Sequence, residues 1–126
     1  MITLTGRGYA TSTGLLVPSV TTCLTWYRVI DYSRVTPEVL EAKAALGRRV
    51  HLATELYDRG EQAFAAEVIH DDRRSQPYFE AYLRFRDEHP RFTPHLIEHA
   101  AVNESLGLGG MLDRFGLLND TPSVID

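Results

Sequence analysis

The chain has 126 residues, 44% of them hydrophobic and 24% charged, with a formal net charge of −4; that is enough apolar material for one core and too much for a disordered tail. No run of about 18 apolar residues occurs, which excludes a membrane-spanning helix, and the opening MITLTGRGYATSTG has no basic segment followed by an apolar one, as a secretory signal would. A single cysteine, Cys23, leaves no partner for an internal disulfide and points to a cytoplasmic protein, while the acid excess argues mildly against a nucleic-acid surface built on clustered basic residues.

In chain order, residues 2–9 read as an edge strand or an extended arm. Ser19 is placed to cap a short helix running to about Arg28, in which Trp26 and Tyr27 are expected to pack against the core. Residues 30–35 form a loop. Thr36-Pro37-Glu38 then combines a capping side chain, a proline at the first helical position and an acid in the first turn, which predicts a helix to about Arg59, ended by Gly60. Val39, Leu46, Val50, Ala53 and Tyr57 form one apolar stripe on it, expected to face a sheet. Gly47 in mid-helix costs about 1 kcal/mol relative to alanine, so a close approach of another backbone is expected there. His51 and Glu55, four apart on this helix, could be a simple surface pair.

Residues 61–70 predict a further, shorter helix, residues 71–76 a charged linker, and residues from Pro77 another helix with Tyr78, Ala81, Tyr82 and Phe85 on its packing face, ending before Pro90. From Pro94 to Asp126 three apolar-rich segments are separated by breaks at residues 105–110 and 119–122, the pattern of an antiparallel meander. Each segment carries one carboxylate: Glu98, on the same strand face as Leu96 and Ala100, then Asp113, then Asp126. Strands lie about 4.8 Å apart, so the three acids can converge if register allows. Converging carboxylates call for a cation, and a hard divalent ion is the usual solution.

Gly110-Met-Leu-Asp113 followed by a turn and Ser123-Val-Ile-Asp126 resembles the core of the PD-(D/E)xK nucleases, in particular their RecB-type and phage-exonuclease branch, where a strand ending in G-x-x-D leads through a turn to D-x-K. Pro18-Ser-Val-Thr-Thr-Cys-Leu24 resembles the opening signature of that branch. Gly47-Arg-Arg-Val-His51-Leu-Ala-Thr-Glu55 resembles its R-G-x-x-H-x-x-x-E helix, with changes between the glycine and the histidine, and Tyr78-Phe-Glu-Ala-Tyr-Leu-Arg-Phe85 resembles the helix before its first catalytic strand.

The resemblance implies an α+β, restriction-endonuclease-like core in which N-terminal helices pack on a small mixed or antiparallel sheet. It implies that Asp113 and Asp126 hold Mg²⁺ or Mn²⁺, that His51 is a further ligand, and that Glu98 is either a ligand or a partner of one. The reaction implied is metal-dependent hydrolysis of DNA, exonuclease-like, in recombination, repair or phage DNA processing. The family lysine, two residues beyond the second acid, has no counterpart: Asp126 is the last residue and Lys43, the single lysine, lies far upstream. The chain, one domain over residues 1–126, therefore reads as the N-terminal portion of a nuclease-like domain, expected to bind metal weakly and to cleave DNA poorly or not at all. Arg48 and Arg49, with Arg73 and Arg74, are candidate phosphate contacts, or else solvated surface arginines. His70, His89, His95 and His99 read as structural. Two other readings stand beside the nuclease: an inactive remnant that binds nucleic acid or a protein, and an interaction domain whose acids are solvated strand ends.

Overall fold

The computed structural model describes the backbone of residues 3–5 and residues 8–126 in full. Its elements are β1 (Thr3–Thr5), β2 (Gly8–Ala10), β3 (Leu16–Pro18), α1 (Val20–Trp26), α2 (Pro37–Asp58), α3 (Gln62–His70), α4 (Gln76–Glu88), β4 (Thr93–Asn103), β5 (Leu108–Leu118) and β6 (Thr121–Ile125). Among the described residues the fold is α+β, with four helices and two small antiparallel sheets ordered β1-β2-β3 and β4-β5-β6. None of these helices is long and apolar enough to cross a membrane.

Local chemistry sets the helix ends. The Ser19 hydroxyl accepts from the Thr22 N–H at 3.0 Å and opens α1. Thr36 does the same for Val39 at 3.4 Å and opens α2, with Pro37 at its first position. α2 ends at Asp58, and Gly60 follows at φ +87°, a left-handed conformation that glycine takes without steric cost. The predicted meander is present. Asn119 and Asp120, both at positive φ, make the two-residue turn between β5 and β6, a geometry whose twist matches that of the flanking strands.

The packing departs from the sequence reading in several places. The expected strand over residues 2–9 is two strands, β1 and β2, and its residues 2, 6 and 7 lie outside the described residues. α1 buries nothing: Trp26 and Tyr27 are exposed, because seven residues give too short an apolar face to seat both rings. Only the second half of α2 is buried. Val39 is exposed, and Ala53 joins Ala65, Ile69 and Phe79 in the core, with Leu56, Tyr57, Val68 and Leu83 around them, so α2 packs chiefly on α3 and α4. In α4 the core residue is Phe79 and not Tyr78, which is exposed along with Ala81. No close approach explains Gly47, since a Cβ there would meet nothing within 4 Å.

A glycine that does admit a close neighbour is Gly109 on β5. The ring of Tyr9 lies directly on it, and a β-bridge joins Gly109 to Ser19, so the first sheet is seated on the meander. Glu104, in the β4–β5 turn, accepts from the Ser12 N–H at 2.8 Å and the Ser12 hydroxyl at 2.7 Å, tying the two loop ends together.

Candidate metal centre

Three elements bring the candidate ligands together. His51 sits on the half of α2 that crosses the meander, Glu98 in the middle of β4, and Asp113 in the middle of β5. The pairs Ile97–Arg114 and His99–Leu112 bracket Glu98 and Asp113, so the two acids oppose each other across the strands. A register shift between Pro94 and Leu96 sets this pairing. Glu98 does not follow the regular strand alternation expected of it: its φ is +47°, a left-handed conformation uncommon for a residue with a side chain. Such outliers persist only where the surroundings over-determine them. Here the result is a carboxylate directed at the helix.

His51 Nδ1 lies 3.3 Å from Glu98 Oε1 and 3.5 Å from Asp113 Oδ1. Each of the three residues offers one ligand atom, and these atoms lie within 4.8 Å of one another. Ligands at about 2.0–2.2 Å from a shared ion span about 4.4 Å at most, so a small contraction would complete the geometry. One imidazole with two carboxylates suits a divalent ion of intermediate hardness, Mn²⁺ better than Mg²⁺. Asp113 carries the strain of the assembly. Burial pushes its carboxyl above the usual 3.8, and Asp126 and Glu98 add to that rise while His51 opposes it.

Asp126 lies beside Asp113 and with His51 lines a cavity of about 290 Å³, but it stands outside the tight group of three. Val50, Thr54, Tyr78, Tyr82, Arg114 and Ile125 line the rest. Arg48 and Arg49 are each engaged by an acid: Arg48 by Glu41 at 2.5 Å, both exposed, and Arg49 by Asp72 at 3.4 Å. Glu55 pairs with Arg59 at 2.9 Å, so it is not the partner of His51. Of the other histidines, His89 packs its ring on Phe85, and His70 is exposed beside Asp71.

Behind the three candidate ligands lies a buried charge network that sequence reasoning missed. Asp58, the last residue of α2, has a fully buried side chain that accepts from the Tyr82 hydroxyl, from Arg86 and, at 2.5 Å, from Arg114 Nε. Arg114 Nη1 donates to Glu98 Oε1 at 3.1 Å and to the Asp113 carbonyl at 2.6 Å. The Arg114 side chain is 3% exposed. Burial pulls its pKa down, but hydrogen bonding and charge interaction with Asp58, together with Tyr82, outweigh this and raise it. Burial, with the Asp58 carboxylate, raises Tyr82 as well. The signal available in the sequence was the Asp113-Arg114 dipeptide, but nothing local tells which carboxylates such an arginine will meet.

No protein-family model matches the chain, and neither does any curated protein or solved structure searched against it.

Proposed function

We propose that this chain carries the metal-binding part of a divalent-cation-dependent DNA nuclease with a restriction-endonuclease-like core, similar to the PD-(D/E)xK enzymes. The observation that supports it is the convergence of His51, Glu98 and Asp113 from a helix and two opposed strands onto one point. His51, Glu98 and Asp113 would hold Mn²⁺ or Mg²⁺, with Asp126 beside them. A bound ion would supply an activated water and offset charge developing on a scissile phosphate.

The residues contribute the rest. The raised carboxyl of Asp113 gains from a cation, because ionisation is what its burial and its acidic neighbours resist. The Nδ1 face of His51 already points at both acids. Arg48 and Arg49 would exchange Glu41 and Asp72 for phosphate oxygens, so DNA affinity should be modest and its dependence on salt shallow, as two phosphate contacts allow.

A calorimetric titration of Mn²⁺ into the protein and into Asp113→Asn tests the reading. One-site binding that the substitution abolishes is expected, and cleavage of a linear duplex in Mn²⁺ would extend it to catalysis. Absence of heat in the unsubstituted protein, or equal binding by the variant, would refute it.

A further inference from the structure

We propose that Arg114 is a positioning residue for the metal centre: its guanidinium, anchored on Asp58 by one edge, holds the Glu98 carboxylate in place with another. The proposal rests on the metal reading above.

The anchor is fixed first. Asp58 has 0% side-chain exposure and is gripped by Tyr82 and Arg86 as well as by Arg114, so it has no freedom to follow a moving partner. A guanidinium is planar and rigid. Once Nε is bound to Asp58 at 2.5 Å and the plane lies over the Tyr82 ring, 5.7 Å from its centroid, the position of Nη1 is determined. That position is 3.1 Å from Glu98 Oε1.

Glu98 needs such a restraint. It faces a second acid, Asp113, and like charges at this spacing drive a flexible side chain outward. Arg114 offsets the charge on Glu98 from the protein side and directs no side-chain hydrogen bond at the carboxylate of Asp113, which stays open to His51. The third nitrogen of the guanidinium shows where the constraint comes from. Arg114 Nη2 is buried without a hydrogen-bond partner among the described residues. The two carboxylates, with the Asp113 carbonyl that Nη1 also meets at 2.6 Å, therefore dictate the plane, and the remaining donor goes unsatisfied.

Lysine discriminates between holding a charge and holding a geometry. Its single ammonium can keep Asp58 company but cannot reach two acids along a rigid fork. We would therefore titrate Mn²⁺ into Arg114→Lys, Glu98→Gln and the double variant, with urea unfolding as the measure of structure, in trimethylamine N-oxide to keep weakened variants folded. The expected result is a rise in the Mn²⁺ dissociation constant of about 10- to 100-fold in Arg114→Lys, as for other residues that orient a ligand. In the Glu98→Gln background the same change should cost little more. An unchanged dissociation constant in Arg114→Lys, or an equal loss in both backgrounds, would overturn the proposal.

Arg86→Lys serves as the second variant, because Arg86 binds Asp58 but lies over the Tyr57 and Phe92 rings and away from the ligands. An equal loss of affinity there would make the network merely structural, and would equally overturn the positioning role. Asp113→Asn, run alongside, separates this failure from that of the metal reading, since only the latter leaves Mn²⁺ binding indifferent to Asp113.

Discussion

Replacing Asp58 with asparagine should destabilise the protein more than any other single change of one charge. The side chain is fully buried, and so is Arg114 at 3% exposure, while Arg86 keeps 21%. Removing one partner of a buried ion pair costs about 3–5 kcal/mol, because the other charge stays desolvated. Asparagine retains one oxygen that can accept from Tyr82 or from Arg114 Nε, and Arg86 can recover some water, which places the loss near the lower end, about 3 kcal/mol. With a urea slope of about 1.5 kcal/mol/M, the midpoint should fall by about 2 M. The difference should persist at 0.5 M salt, since buried pairs are poorly screened. A loss below about 1 kcal/mol, or one that salt erases, would mean that water reaches Asp58 and that the network behaves as a surface ion pair.

Asp113→Asn should melt above the unsubstituted protein at pH 7 without added metal, and the gap should close with acid. The folded carboxyl is held above 3.8 chiefly by burial, so its contribution is intact below the unfolded pKa and is lost as pH rises through the folded one. Thermal melts of both proteins across that interval check the sign, and a variant that melts lower at pH 7 would contradict it. Gly47→Ala should raise stability by about 0.5–1 kcal/mol, because the added methyl meets nothing and the helix gains propensity; urea unfolding that shows a loss would place an unseen neighbour there. Gly116→Ala should do the opposite, by about 1–3 kcal/mol, since its Cβ would collide with the Thr93 carbonyl oxygen across β4 and β5, and a neutral result in the same assay would show that the strands yield.

What could be read in advance was local. Ser19, Thr36, Pro37 and Gly60 mark helix ends through bonds to near neighbours, and Asn119-Asp120 marks a turn through its own backbone preference, so these features needed no knowledge of the fold. Glu98 and Asp113 were picked out as carboxylates on successive strand segments, and His51 through the nuclease resemblance. Their meeting depends on register, which neither composition nor period encodes. The register shift after Pro94 and the left-handed backbone at Glu98 are tertiary facts, and they determine where that carboxylate goes. The same holds for the errors. Tyr78 and Phe79 are adjacent aromatic residues on α4, and only the placement of α3 against α2 decides which one is buried. The role of Arg114 likewise depends on Asp58, 56 residues earlier, which only the fold brings to it.

That separation has a kinetic consequence. The helices from α2 to α4 touch mainly one another, and the meander is made of consecutive strands, so each half can organise through contacts close in sequence, with little loop closure to overcome. The Asp58–Arg114 and His51–Glu98 contacts span 56 and 47 residues and exist only after the halves dock. Interactions made that late weigh on the unfolding rate and leave the folding rate almost alone. A cation seated at this seam would act as a latch, prolonging the lifetime of the assembled state without hastening its arrival.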